Sequence, residues 1–151
     1  MFTIRPYESA DLAEWMRMRC ELWPELPADE AAQRADCEAW LARRNSIVLV
    51  AERSEPSRLC GFIEAGDREF ADGCETGPVA YLEAWFVDED LRRQGIGRQL
   101  MQAGEEWAIT SGYREFASDA LLENTPSQHA HTSLGFIEVE RAVRYAKRLR
   151  K

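Results

Sequence analysis

A turn rich in glycine and arginine, residues 92–98 (RRQGIGR), is the segment of this sequence whose residue types point most clearly to a ligand. Glycines let a backbone approach a ligand closely, and the helix predicted after the turn presents unpaired N–H groups and a partial positive charge. The arginines add cations, as a phosphate ligand requires. Leu100 stands where a dinucleotide-binding fingerprint needs its third glycine, and no Gly-Lys-Ser/Thr of a P-loop follows. The turn therefore predicts either another kind of phosphate site or a plain strand-to-helix connection.

Two carboxylates lie on the strands predicted beside this turn. Glu83 belongs to the apolar segment 79–87 (VAYLEAWFV), and Asp119 ends the short strand predicted at 115–120. A carboxylate near a bound amine can accept a proton from it, directly or through water. The apolar neighbours of Glu83 favour its burial, although a strand carboxylate can also point into solvent. Asp119 is a rival proton acceptor, an ammonium anchor or a turn former, so the sequence leaves the choice of base open.

The histidines and cysteines do not form a metal-binding pattern. His129 and His131 are two residues apart and face different sides of a helix, so we expect no metal. His131 can donate a proton near neutral pH or simply pack its helix. The four cysteines contain no Cys-x-x-Cys pair, which argues against zinc ribbons and redox dithiols and favours reduced thiols.

The charge of the chain indicates which class of partner it binds. The chain of 151 residues has a formal net charge of −8, which disfavours nucleic acid and anionic membranes as partners and favours cations. Acids are concentrated between residues 64 and 75, where Arg68 is the one base among Glu64, Asp67, Glu69, Asp72 and Glu75. Such a stretch suits a ligand with several ammonium groups. Trp23, followed by two prolines, is a candidate wall for stacking on a ring, the alternative being a core tryptophan.

The predicted elements that position these residues run in the order β-α-α-β-β-β-α-β-α-β-β. Ser9, Asp29 and Thr125 are the expected helix caps, and the segments FIEVE and RYAKR are expected to form a last hairpin. A strand–helix–strand unit in the middle implies a parallel pair. We therefore predict one domain, 1–151, of α/β (α+β) class: a mixed, mostly antiparallel sheet with a central parallel strand pair and helices on both faces. The first residues lack the apolar core of a signal peptide, so the expected compartment is the cytoplasm.

Two spaced motifs resemble the GNAT N-acetyltransferase superfamily: R-x-x-G-x-G after an apolar strand, and Asn124 opening a helix followed by HTSLGF (131–136). The resemblance implies that acetyl-CoA is the co-substrate. It also implies that the turn binds the CoA pyrophosphate and that the preceding strand hydrogen-bonds the pantetheine arm. The implied cofactor-binding residues are Phe86, Val87, Arg92, Arg93, Gln94, Gly95, Ile96, Gly97, Arg98 and Asn124.

Within that superfamily the sequence is similar to the aminoglycoside 6′-N-acetyltransferases. The similarity is carried by the segments LWP (22–24), DGC (72–74), YLE (81–83), ASD (117–119) and ENT (123–125). It implies transfer of acetyl to the 6′-amine of a polycationic aminosugar antibiotic, and hence resistance. The implied substrate-binding residues are Trp23, Phe70, Asp72, Glu83, Asp119 and Glu140, with Glu140 reaching a partner's site in a homodimer joined through the C-terminal strands. There are two alternatives. One is acetyl transfer to another small amine, such as a polyamine, and the other is a non-catalytic acyl-CoA-binding domain.

The implied reaction is direct attack of the amine on the thioester, which needs alignment but no covalent enzyme intermediate. Glu83 or Asp119 would accept the amine proton, and a backbone N–H near Phe86 or Val87 would polarise the thioester oxygen. His131 occupies the position where many family members carry a tyrosine that protonates the leaving thiolate. We therefore expect the catalytic residues among Glu83, Asp119 and His131.

Overall fold

The computed structural model describes residues 1–150, which form a five-stranded sheet flanked by four α-helices. The strands are β1 (Phe2–Pro6), β2 (Ile47–Ser54), β3 (Ser57–Arg68), β4 (Val79–Val87) and β5 (Phe116–Ser118). The helices are α1 (Leu12–Leu22), α2 (Glu30–Ala42), α3 (Ile96–Thr110) and α4 (Thr125–Ser133), with short 3-10 turns at Ser9–Asp11 and Glu89–Leu91. The observed order agrees with the predicted order as far as the last helix.

The sheet runs β1-β2-β3-β4-β5, with the first four strands antiparallel and β5 parallel to β4. This parallel pair confirms the predicted mixed sheet, but it lies at the β5 edge and not at the centre as predicted, because within residues 1–150 no strand follows β5 to pair with it. The β4–β5 pairing covers three positions and ends at Leu82 opposite Ser118. Because β4 continues to Val87 while β5 stops, the two strands part beyond Leu82 and the β4 backbone faces an opening there.

Helices cover both faces of the sheet, as expected from a sheet whose central strands are apolar at nearly every position. On the first face, α1 and α2 bury Trp15 and Met18 against Phe62 and Phe86. On the second face, α3 buries Leu100 and its neighbours against Ile63, Leu49 and Leu82. Within residues 1–150, no helix is long and apolar enough to cross a membrane.

Local signals in the sequence explain where most helices begin. Asp29 caps α2, as predicted, by accepting a hydrogen bond from the Ala31 N–H. Gly95 precedes α3 with a φ of 88°, a left-handed conformation that favours glycine. For α4 the prediction of Thr125 as the cap is wrong, because the Asn124 side chain accepts the hydrogen bond from the Ser127 N–H. At α1 the prediction of Ser9 is also wrong: Ser9 lies inside the 3-10 turn, whose capping residue is Glu8.

The predicted last hairpin is absent from the described residues: 137–150 contains no strand, no helix and no sheet pairing. Its alternating side chains are strand-like, but a strand is stable only against a partner edge, and β5 offers three residues. Several of its apolar side chains are therefore exposed: Ile137, Val139, Val143, Tyr145 and Leu149.

Candidate active site

The arginine–glycine turn sits between the end of β4 and the start of α3, and its backbone is held by β4. The indole Nε1 of Trp85 donates a hydrogen bond to the Gly97 carbonyl at 3.2 Å. A Cβ at Gly97 would lie 3.3 Å from that nitrogen, so the close approach depends on glycine. The side chains of Arg92, Arg93 and Arg98 are all exposed, and the Nε of Arg92 also donates a hydrogen bond to the Val87 carbonyl. The turn thus offers the unpaired N–H groups of a helix start together with three exposed cations.

Glu83 lies at an irregularity of the β3–β4 ladder. Glu64 pairs with Ala84 and Ala65 pairs with Leu82, so Glu83 is an extra residue that bulges from β4. Its carboxylate accepts two hydrogen bonds from Arg68, Nε to Oε1 and Nη2 to Oε2, both at 2.9 Å. The side chain is 23% exposed, so the burial expected from its apolar neighbours is only partial.

Asp119 is joined to the same cluster by Tyr81. The Tyr81 hydroxyl donates to Asp119 Oδ2 at 2.5 Å, and burial of the phenol, with this carboxylate as acceptor, raises the pKa of Tyr81. The Arg68 guanidinium carbon lies 3.5 Å from the centroid of the Tyr81 ring. Glu83, Arg68, Tyr81 and Asp119 therefore form one connected group beside the point where β4 and β5 part. The sequence predicted both carboxylates here, but it did not predict that Arg68 and Tyr81 would join them.

His131 on α4 is held at both ring nitrogens. Its Nδ1 lies 2.7 Å from the Ser127 carbonyl, and its Nε2 lies 2.8 Å from the Ser118 hydroxyl. A carbonyl oxygen can only accept, so Nδ1 carries the proton, and in the neutral ring Nε2 accepts from Ser118. The ring also packs edge-on against Trp85 at a centroid distance of 5.3 Å. His131 therefore packs its helix against the end of β5, as one predicted alternative has it, and its role as a proton donor stays a prediction.

The acidic stretch 64–75 does not form one carboxylate cluster. Asp67 accepts hydrogen bonds from the Tyr113 hydroxyl at 2.7 Å and from Asn45, which commits it to the fold. Glu69, Asp72 and Glu75 are exposed, and so is Phe70, at 75% of its surface. The prediction that Glu64 shares in this charge is wrong, because β3 continues through it and turns it into the core.

Glu64 is 1% exposed and lies between α1 and the sheet. Its Oε1 accepts a hydrogen bond from Trp15 Nε1 at 3.0 Å, and Arg19 Nε lies 3.3 Å from the same oxygen without hydrogen-bond alignment. Burial raises the pKa of this carboxyl to about 7, against the opposing effect of Arg19. The prediction from sequence counted Glu64 with the acidic stretch and missed its burial, although a lone acid between apolar strand positions was a signal for it.

The remaining predicted residues lie around this centre. Trp23 is half-buried, and the Arg19 guanidinium carbon lies 5.1 Å from its ring centroid. The side-chain oxygen of Asn124 is used as the cap of α4. Glu140 is exposed on the C-terminal segment, next to Val139, whose side chain fills the space beside Gly73. Among residues 1–150 no group of three or more potential metal ligands lies together.

The described chain thus combines a cationic, amide-rich turn with an open strand edge and a paired set of carboxylates. The turn suits phosphate oxygens, and the edge of β4 offers backbone groups to an extended ligand arm. The carboxylates can hold or deprotonate an amine placed where β4 and β5 part. This arrangement fits transfer between a phosphate-bearing donor and an amine.

Comparison with known proteins agrees with this chemistry. Residues 11–136 match the Acetyltransferase (GNAT) family. An aminoglycoside N(6′)-acetyltransferase type 1 of Klebsiella aerogenes is 42% identical over 137 residues, which cover 90% of each chain. A solved structure of AAC(6′)-Iy in complex with the bisubstrate analogue CoA-S-monomethyl-acetylneamine superposes with a TM-score of 0.89 at 36% identity, covering 99% of both chains. The aminoglycoside 6′-N-acetyltransferase AAC(6′)-Ih of Acinetobacter baumannii gives the same TM-score and coverage at 34% identity.

Proposed function

The chain belongs to the Acetyltransferase (GNAT) family, and we propose that it transfers the acetyl group of acetyl-CoA to the 6′-amine of aminoglycoside antibiotics. The observation that carries this proposal is the placement of Glu83 and Asp119 at the divergence of β4 and β5, with the arginine–glycine turn beyond the end of the same β4. Glu83 precedes Val87 by four residues, roughly 13 Å along a strand. That span suits the extended arm between a bound pyrophosphate and a reacting thioester.

We propose that the cofactor lies along β4 and the turn. In this arrangement Phe86 and Val87 contact the arm, residues 92–98 hold the pyrophosphate, and Asn124 stands at the start of α4 near the thioester. The exposed cations Arg93 and Arg98 and the unpaired amides of the α3 start support this placement.

A substitution at Gly97 tests the cofactor site. We expect Gly97→Asp to abolish measurable acetyl-CoA binding in calorimetry, because the carboxylate repels phosphate and its Cβ crowds Trp85. Arg98→Gln, which leaves the backbone intact, should weaken binding about tenfold through loss of a charge-assisted contact. Thermal melting of both variants separates loss of the site from loss of the fold. Unchanged affinity in both folded variants contradicts the site.

In the reaction we propose, the neutral amine attacks the thioester carbonyl, the C–N bond forms, and collapse of the intermediate breaks the C–S bond. Glu83 or Asp119 takes the proton that the amine loses, and the CoA thiolate leaves, to be protonated by His131 or by water. To protonate the thiolate, His131 must carry a proton at Nε2. The Ser118 hydroxyl, which contacts that nitrogen, would then relay the proton toward the opening between β4 and β5. We expect His131→Ala to lower kcat less than either carboxylate substitution does, because a thiolate can depart unassisted.

The aminoglycoside is proposed to lie over the Glu83–Asp119 group, with Trp23, Phe70, Asp72 and Glu140 around it. The exposed side chains of Phe70 and Asp72 on the loop after β3 support this, because they are free to contact a ligand. The net charge of −8 adds long-range attraction for a polycation.

Product analysis tests the function directly. Thiol release from acetyl-CoA is measured with kanamycin, with spermine and without an amine, and the kanamycin product is examined by mass spectrometry. We expect turnover with kanamycin and acetylation at the 6′-nitrogen, while a 6′-hydroxyl analogue binds without reacting there. Spermine turnover in the absence of kanamycin turnover would favour the polyamine alternative. Acetyl-CoA binding without turnover of any amine would favour the non-catalytic one.

We further propose a homodimer joined through the C-terminal segment. The exposed apolar side chains at 137–149 and their strand-like alternation support it, since a second copy would supply the missing strand edge. Sedimentation of the chain and of a variant truncated after Gly135 tests this, with a dimer expected only for the full chain. The compartment we propose is the cytoplasm, which fits four cysteines that are all unpaired and a co-substrate used there. Cell fractionation tests the compartment.

A further inference from the structure

Arg68 is a cation placed inside a site that is otherwise suited to bind cations. Its guanidinium occupies both carboxylate oxygens of Glu83 at 2.9 Å and covers the Tyr81 ring. Tyr81 in turn holds Asp119. The group that would deprotonate or anchor the substrate amine is therefore already engaged by the protein's own cation.

An amine that reaches Glu83 must break at least one of these two hydrogen bonds. A bidentate pair uses both oxygens in one plane, and a second cation at the same edge is repelled by the guanidinium. Arg68 can leave, because its side chain is 44% exposed and returns to water when it swings away. Exposed ion pairs of this kind are weak enough to exchange partners.

The buried pair on the same face of the sheet shows the opposite behaviour. Arg19 is 12% exposed and stays against Glu64, which is closed off by Trp15. Arg68 stands at the very end of β3, where the chain leaves the sheet for the exposed loop. The position of Arg68 is therefore that of a movable side chain and not of a core anchor.

We propose that Arg68 is a built-in competitor for the substrate's ammonium group, and that it sets how many ammonium groups a substrate must carry. The inference rests on the proposed function. A polycation offsets the displacement of Arg68 with further contacts to exposed carboxylates such as Asp72, whereas an amine with a single charge has no such compensation. Arg68 thereby lowers the affinity for every amine, which leaves a monoamine too weakly bound to react while a polycation with further contacts still binds.

The test compares binding of two amines to the chain by calorimetry: kanamycin, with several ammonium groups, and 6-amino-6-deoxyglucose, with one. In Arg68→Gln we expect the affinity for both amines to rise, by about tenfold for the monoamine and at least as much for kanamycin, since both incur the same cost of displacing Arg68 and one competing charge is removed. Arg68→Lys, which keeps the charge but loses the fork, should fall between. Arg34→Gln, which removes an exposed arginine paired with Glu30, is the control and should change neither affinity.

Equal weakening for both amines in Arg68→Gln would overturn the proposal, because it would make Arg68 a support that holds Glu83 in place. Unchanged affinity for both amines would overturn it as well, because it would show that Arg68 does not compete for Glu83. Because the readout is binding, it does not depend on turnover. Kanamycin acetylation by the unaltered chain, measured in parallel, reports separately on the proposed function.

Discussion

Two carboxylate–arginine pairs lie on the same face of the sheet, on neighbouring strands, and they differ in almost every physical respect. Glu64 on β3 is buried, is closed off by the Trp15 indole and has a pKa raised to about 7 by that burial. Glu83 bulges from β4, is partly exposed and accepts both of its hydrogen bonds from Arg68.

The difference shows that the local environment, and not residue type, decides what an acid in this fold can do. The partners of Glu64 cannot leave without stranding a buried group, so that pair holds α1 against the sheet. The partner of Glu83 can return to water, so that carboxylate is available to a ligand. A one-residue bulge in β4 separates the structural acid from the acid proposed for chemistry.

Breaking the buried pair should have the largest effect. Arg19→Met leaves the Glu64 carboxylate without its cation, and we expect a loss of about 3 to 5 kcal/mol in the free energy of unfolding at pH 8. At pH 5, where Glu64 is protonated with or without Arg19, the loss should be smaller by about 1 kcal/mol. Urea denaturation at the two pH values measures it. Arg68→Gln is the comparison and should cost less than about 1 kcal/mol. A loss at pH 8 no larger than that of Arg68→Gln would show that the buried pair does not stabilise the fold.

The raised pKa of Glu64 predicts a stability that falls as the pH rises. The native carboxyl keeps its proton up to about pH 7, whereas the unfolded one releases it at its ordinary, lower pKa. Between those values the native state binds more protons, so the free energy of unfolding decreases with pH, by up to about 3 kcal/mol between pH 4.5 and pH 8. Urea titrations across this range measure the slope, and Glu64→Gln should remove it. A slope that persists in Glu64→Gln would mean that another group causes it.

The exposed pair should matter for rate and not for folding. If Glu83 accepts the amine proton, Glu83→Gln should lower kcat about 100-fold at neutral pH. A role limited to anchoring would instead raise KM for the amine. Asp119→Asn, measured alongside, decides between the two carboxylates. Glu64→Gln makes the same substitution at the buried acid and is the matched control. The kcat of this variant should stay within about threefold of that of the unaltered chain.

The smallest effect is expected at Tyr81, which links the Glu83–Arg68 pair to Asp119. Tyr81→Phe removes the hydroxyl that donates to Asp119 and should cost about 1 kcal/mol, seen as a fivefold or smaller drop in kcat/KM. Steady-state kinetics with kanamycin measures it, and thermal melting controls for packing. A loss as large as that of Asp119→Asn would show that the hydroxyl is needed for all of the aspartate's contribution.

Much of the fold could be predicted from the sequence because its signals are local. The apolar segment 79–87, the cap at Asp29 and the glycines of the 92–98 turn each fix an element through backbone or side-chain chemistry within a few residues. The last hairpin failed for the opposite reason, since the strand pattern after Gly135 depends on an edge that the described chain does not supply. The predicted cap of α4 was wrong by one residue, because the side chains of the adjacent Asn124 and Thr125 can both cap a helix.

By itself, the sequence determined the arginine–glycine turn between β4 and α3, the two carboxylates on the neighbouring strands and the acetyltransferase family, because these depend on residue types at short spacing. Only the tertiary structure decided that Glu64 is removed from the acidic stretch into the core, while Glu83 is pushed outward by the bulge. It alone brought Arg68 and Tyr81 between Glu83 and Asp119. The physical reason is that burial and ion pairing depend on how β3 and β4 pair, on the bulge in β4 and on which helix covers each position, and these are set by residues distant in the sequence.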